Sequence, residues 1–313
     1  MHGNAAKFSG LSASAGLCQS RDSQDRKGQK LPFVEADPWA IVCCALRIQI
    51  FVISQKNPML SRSLQWRNGI ARFPTGGLYV VALLAMCFSL MRALALFGSA
   101  QYQALLPLSF TLMAITPWIV LTRLGRDQIG LRRANSVGAY ATAVLVGALL
   151  ALVCGVIGSL LFEVGPQNWY VSIARNFERS FDTAGKSTLI LFAVFTVPSM
   201  IFSPIGEEFF FRALLQRSLE DFTSRSLATV CECSVFALVH LCHHGLYRTS
   251  LGFSFWLPSG IVWAVLMFLT GYLFAYFRSK SDSIFPAVVC HMAFNFAMGV
   301  YIFSILWDAH PVP

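Results

Sequence analysis

The chain has 313 residues, of which 56% are hydrophobic and 12% charged, with a mean hydropathy of +0.60. That is too apolar for a water-soluble domain of this length, and the formal net charge of +9 sits between apolar windows, so no nucleic-acid partner is expected. The nine cysteines are an odd number and lie mostly in apolar windows, which reads as packed or lipid-facing residues and not as a disulfide framework.

Residues 1–70 read as a polar, poorly ordered N-terminal region, rich in Ser, Gly, Gln and charge over residues 1–37. Within it, Trp39 to Ser54 is apolar but short and interrupted by Arg47, which suits an interfacial segment better than a span. It lies too far from the start, and lacks a small-residue cleavage site, to be a signal peptide. Met59 is an alternative natural start that would leave residues 1–58 outside the natural protein.

Residues 71–313 read as one membrane-embedded domain. Apolar windows predict spans at 77–98, 104–122, 137–162, 187–211, 226–243, 257–277 and 283–306, an all-α polytopic transmembrane bundle of about seven helices. Strand-period alternation is not sustained, which argues against a barrel. Arg62, Arg67 and Arg72 precede the first span, and Arg123, Arg126, Arg132 and Arg133 follow the second. The loop 99–103 carries no charge and the loop 163–186 is charge-balanced. This bias places the N-terminus in the cytoplasm, with a bacterial cytoplasmic membrane as the expected location.

Ionisable groups at the centre of a bilayer cost several kcal/mol unless they face a cavity or a partner, so each one is a functional candidate. Three clusters carry them: Glu207, Glu208 and Arg212 in SPIGEEFFFR, Phe236 and His240 in SVFALVH, and His291 and Asn295 in CHMAFN. Glu208 and Arg212 are four residues apart and share a helix face, leaving Glu207, about 100° around, free to react. His291 and Asn295 form a second four-residue pair. Counted at 1.5 Å per residue from the arginine-rich side, Glu207, His240 and His291 lie roughly 15, 20 and 14 Å deep, a common depth.

A carboxylate and an imidazole in a low-dielectric pocket can activate water against an amide, and the Asn295 amide with a His291 nitrogen could donate to the resulting oxyanion. Each cluster also has a plainer reading: a solvated helix end for EExxxR, a headgroup-zone histidine for His240 (near His243 and His244), and interhelical glue for His291 with Asn295. Phe209, Phe210 and Phe211 read as packing or lipid-facing residues, and Cys231, Cys233 and Cys242 do not have the spacing of a zinc module.

The three motifs, EExxxR at Glu207–Arg212, FxxxH at Phe236–His240 and HxxxN at His291–Asn295, resemble in order and separation those of the CAAX prenyl endopeptidase and bacteriocin-processing (CPBP, Abi-type) intramembrane proteases. The resemblance covers about residues 120–305. It implies Glu207 as catalytic base with His240 beside it, His291 and Asn295 at the oxyanion, and Glu208 with Arg212 as a supporting pair. No cofactor is required on this reading, although Glu207, His240 and His291 could make a three-ligand zinc site. HExxH and paired membrane aspartates are missing, and Ser259 in LPSG shows no glycine-flanked context or histidine partner. The resemblance therefore implies an intramembrane endopeptidase acting on a membrane-anchored or lipidated peptide or protein, with its site opening to the cytoplasmic side. The competing class is a non-proteolytic transporter or scaffold that uses the same groups as a proton relay or structural network. The sequence does not choose between prenylated and other substrates, nor an oligomeric state.

Overall fold

The computed structural model describes residues 63–71, 75–134 and 136–309. The expectations for residues 1–62 and for Arg72 lie outside these. The helices are α1 (Gly76–Phe97), α2 (Leu105–Val120), α3 (Val137–Phe162), α4 (Trp169–Ser180), α5 (Thr188–Glu207), α6 (Arg225–His240), α7 (Leu257–Ser281) and α8 (Phe285–Tyr301). Helix α5 runs on through a π-helical stretch, Glu208–Leu215, into Gln216–Glu220, and α8 through another, Ile302–Leu306. Strands β1 (Leu246–Thr249) and β2 (Gly252–Phe255) form an antiparallel hairpin between α6 and α7.

Six helices of the described residues, α1, α2, α3, α5, α7 and α8 with their extensions, are long and apolar enough to cross a membrane. The protein is an all-α polytopic membrane bundle. The window expected as a further span at 226–243 is α6, whose 16 residues reach about 24 Å. It packs on α7 and stops where Trp263 Nε1 donates to the His240 carbonyl at 3.0 Å. Leu145, Leu149 and Leu160 of α3 and Tyr79 and Leu83 of α1 are exposed, an apolar surface suited to lipid rather than water.

Local chemistry sets the element ends. Asn168, Ser187 and Ser224 cap α4, α5 and α6 by accepting from Tyr170, Ile190 and Leu227 N–H groups. Asp282, at φ 53°, turns the chain between α7 and α8, and Pro286 stands in the first turn of α8, where its missing N–H costs nothing. Helix α4 falls in the loop expected at 163–186. Its polarity is mixed, so hydropathy misses it, but Trp169, Tyr170, Ile173 and Ala174 form a buried stripe. Trp169 Nε1 and Tyr170 Oη donate to the Cys154 and Ala151 carbonyls of α3 at 3.1 and 2.8 Å.

Contacts between loops define two ends of the bundle. At the arginine-rich end, the Leu64 N–H donates to Asp221 at 2.8 Å, Arg132 Nε to the Asp282 carbonyl at 3.0 Å, and the Ile284 N–H to the Gly130 carbonyl at 2.9 Å. At the other end, Gln103 Nε2 donates to the Arg179 carbonyl at 2.9 Å and Arg248 to the Phe97 carbonyl at 3.0 Å.

Helices α3 and α8 pack closely because small residues line their seam: Gly147, Ala151 and Gly155 recur every fourth residue. A β-carbon on Gly147 would lie 2.0 Å from the Cys290 carbonyl oxygen, the residue before His291. Gly147→Ala is expected to push α8 away and lower the melting temperature in detergent, with an overpacking cost of about 1–3 kcal/mol. Gly138→Ala on the same helix, where the new carbon meets only Ser136 Oγ at 3.4 Å, serves as the tolerated control. Equal melting temperatures for the two variants would contradict the packing assignment.

Candidate active site

Pro198 and Pro204 remove two N–H donors from α5, and the π-helical turn follows at once, a combination that commonly reshapes a helix at a functional position. Gly206 lets α5 press against α2: a β-carbon there would stand 2.4 Å from the Phe110 carbonyl oxygen. Glu207, only 1% exposed, is thereby delivered between α1, α2, α6 and α8.

Its two carboxylate oxygens have different surroundings. Oε1 accepts a hydrogen bond from Arg92 of α1, itself fully buried. Oε2 has no hydrogen-bond partner among the described residues and faces two imidazole nitrogens, His240 Nε2 at 3.9 Å and His291 Nε2 at 3.8 Å. Those distances are too long for direct hydrogen bonds.

Tautomers follow from the far side of each ring. His240 Nδ1 is 2.8 Å from the Phe236 carbonyl, which can only accept, so Nδ1 carries hydrogen and Nε2 is turned to Glu207. His291 Nδ1 is 2.9 Å from Glu208 Oε1 and donates to it in the same sense. The ring of His291 also stacks on Phe274, with centroids 4.7 Å apart.

Behind this group lies a second layer. Arg212 Nε pairs with Glu208 Oε2 at 3.4 Å and with Glu232 Oε1 at 3.6 Å, and its guanidinium lies 3.8 Å from the Phe236 ring centroid. The sequence-derived pair Glu208–Arg212 is thus brought together, with Glu208 also orienting His291. Asn295 Nδ2 donates to the Ser199 carbonyl of α5 at 2.9 Å, one turn along α8 from His291. Phe209, Phe210 and Phe211 are buried, as packing residues are.

A cavity of about 220 Å³ joins these groups, lined by Glu207, Phe236, His240, His291 and Asn295 together with aromatic and methionine side chains of α7 and α8. Its exposed lining, Gly98, Arg179 and Ser180, belongs to the end away from the arginine-rich loops. The sequence reading expected the opening on the arginine-rich side. The cavity instead reaches the end where Gln103 Nε2 donates to the Arg179 carbonyl.

A family model described as type II CAAX prenyl endopeptidase Rce1-like matches residues 189–297. That match supports the resemblance of this segment to the CAAX endopeptidase (CPBP) family. No curated protein and no solved structure matches the chain. The matched segment runs from α5 into α8 and contains all three motifs. It is narrower than the expected 120–305.

Two buried charged residues of this site were not among the candidates expected from the sequence. Glu232, in the apolar stretch of α6, joins Arg212, and Arg92, in the apolar stretch of α1, joins Glu207 and approaches His243 Nε2 at 3.4 Å. Both carried a legible signal, an ionisable residue inside an apolar helix, but neither sits in a motif. Ser259, expected to lack a histidine partner, has one: His244 Nε2 is 2.9 Å from its Oγ, and His244 Nδ1 is 2.8 Å from Ser172 Oγ. Among the described residues no carboxylate supports that histidine, and Ser259 is fully buried outside the cavity, so the trio ties α4 to α7 and does not form a nucleophile.

A zinc ion can be tested against the donor set. Tetrahedral ligands about 2.0–2.1 Å from zinc stand roughly 3.3–3.4 Å from one another. The Glu207–His240 and Glu207–His291 separations of 3.9 and 3.8 Å are wider, and among the described residues no group of three His, Cys, Asp or Glu is set to hold a metal ion. As arranged, these groups stand wider apart than the ligands of a tetrahedral zinc ion.

Burial lowers the pKa of His244, in the turn after α6, to about 4. Because the folded value lies below the usual 6.5, the unfolded chain binds the extra proton, and stability present above pH 6.5 is lost as pH falls toward 4. Melting curves in detergent are expected to drop over that interval by less in His244→Gln than in the native chain. An identical pH dependence would refute the assignment.

Proposed function

We propose that the protein is an intramembrane endopeptidase in which Glu207 and His240 activate water against a peptide bond of a membrane-associated or lipidated substrate. The observation that carries this reading is the convergence of Glu207 Oε2 with the Nε2 atoms of His240 and His291 in one cavity. Two atoms 3.8–3.9 Å apart can each lie at hydrogen-bond distance from one shared water oxygen.

In the proposed step Glu207 Oε2 takes a proton from that water as its oxygen bonds to the scissile carbonyl carbon. The carbonyl π pair moves onto oxygen, where the free hydrogen of the Asn295 amide donates to it, joined by His291 Nε2 when that ring carries its second proton. Collapse re-forms the carbonyl and breaks the C–N bond, and the proton held by Glu207, passed directly or through His240, goes to the departing amine. Glu208 holds His291 in place, and Arg212 holds Glu208. No metal is required in this scheme.

The arginine-rich end faces the cytoplasm on this reading, by the loop-charge bias. Substrates then enter from the opposite end, past α4.

Purified protein in nanodiscs with a membrane-anchored reporter peptide tests the scheme. Glu207→Gln is expected to lower kcat at least 1,000-fold and Asn295→Ala roughly 100-fold, on the scale of losing a general base and one oxyanion donor. Undiminished cleavage by Glu207→Gln would refute hydrolysis at this site. Stringent chelation should leave the rate unchanged, and full loss that zinc restores would show the reaction to be metal-dependent.

A further inference from the structure

We infer that Arg92 is a positioning residue of this site, donating to Glu207 Oε1 so that Oε2 alone is presented to water and the two histidines; this rests on the reading of Glu207 as the base. Arg92 lies 16 positions into α1, outside the segment matched by the family model, and is fully buried. Its side chain does not reach out to a headgroup zone but stays inside the bundle, and burial of an arginine in a bilayer is costly without a partner. Its polar contacts among the described residues are Glu207 and His243 Nε2, and its guanidinium lies 5.3 Å from the Phe110 ring centroid.

The geometry separates this role from simple charge balance. A carboxylate turns readily about its last torsion and would otherwise offer either oxygen to the cavity. Donation to Oε1 removes that freedom and leaves Oε2, the oxygen without a hydrogen-bond partner, aimed at His240 and His291. The Phe110 ring and His243 hold the guanidinium on α1 while Gly206 brings α5 up to it, so three helices fix one carboxylate torsion. Lysine would keep the charge without the planar fork and should orient Glu207 poorly.

The test measures cleavage of the membrane-anchored reporter by the full chain in nanodiscs, for Arg92→Met, Arg92→Lys and Arg92→Ala, beside Glu207→Gln. Arg92→Met is expected to lower kcat roughly 100-fold with KM within about twofold. Arg92→Lys should lie between it and the native chain, and millimolar guanidinium should raise the Arg92→Ala rate about tenfold or more. A native kcat in Arg92→Met, or a folded Arg92→Ala that guanidinium does not rescue, overturns the assignment. If neither variant folds, Arg92→Lys decides: a reduced kcat at unchanged KM supports the role and an unchanged kcat overturns it. A native rate in Glu207→Gln removes the underlying reading whatever Arg92 does, whereas an inactive Glu207→Gln beside a native Arg92→Met removes only the present inference.

Discussion

A carboxylate in the interior of a membrane bundle is the constraint around which the rest of the structure is arranged. An isolated ionised glutamate there would be prohibitively costly, so the fold must supply compensating charge and hydrogen bonds. Glu207 receives them from Arg92 on α1, with His240 on α6 and His291 on α8 at the oxygen that Arg92 leaves free. Removing one partner of such a buried pair is far more damaging than the net worth of the pair, because the other charge stays behind.

The same logic is repeated one layer out. Glu208 and Glu232 share Arg212, and Arg212 is sandwiched against Phe236 with Phe274 nearby. Gly271 faces the guanidinium, where a β-carbon would stand 2.8 Å from one terminal nitrogen. Aromatic faces and a missing side chain make room for a cation that the bilayer would reject. Pro198, Pro204 and the π-helical turn place both glutamates, so backbone irregularity and buried charge occur together on α5.

Much of this was legible in the sequence. Apolar windows located the long helices within a few residues, except that the fourth runs on to Glu220 and the fifth is α6, too short to count as a span. The i,i+4 spacings brought together Glu208 with Arg212, and the motif order brought Glu207, His240, His291 and Asn295 to one cavity. Helix α4 and the hairpin were not legible because neither is apolar enough for a hydropathy window. Arg92 and Glu232 belong to no motif, and only the rule that a charge inside an apolar helix needs a partner marks them. The direction of the cavity depends on which side chains from distant segments line it, among them Gly98, Arg179 and Ser180, and no local pattern encodes that.

The most direct measurement is an experimental structure of Glu207→Gln in nanodiscs with an uncleaved membrane-anchored peptide. The expected result is a peptide threaded past α4 with one carbonyl carbon within about 3–3.5 Å of the space between residue 207, His240 and His291. A peptide bound elsewhere on the bundle, with that space closed to it, would contradict the central claim.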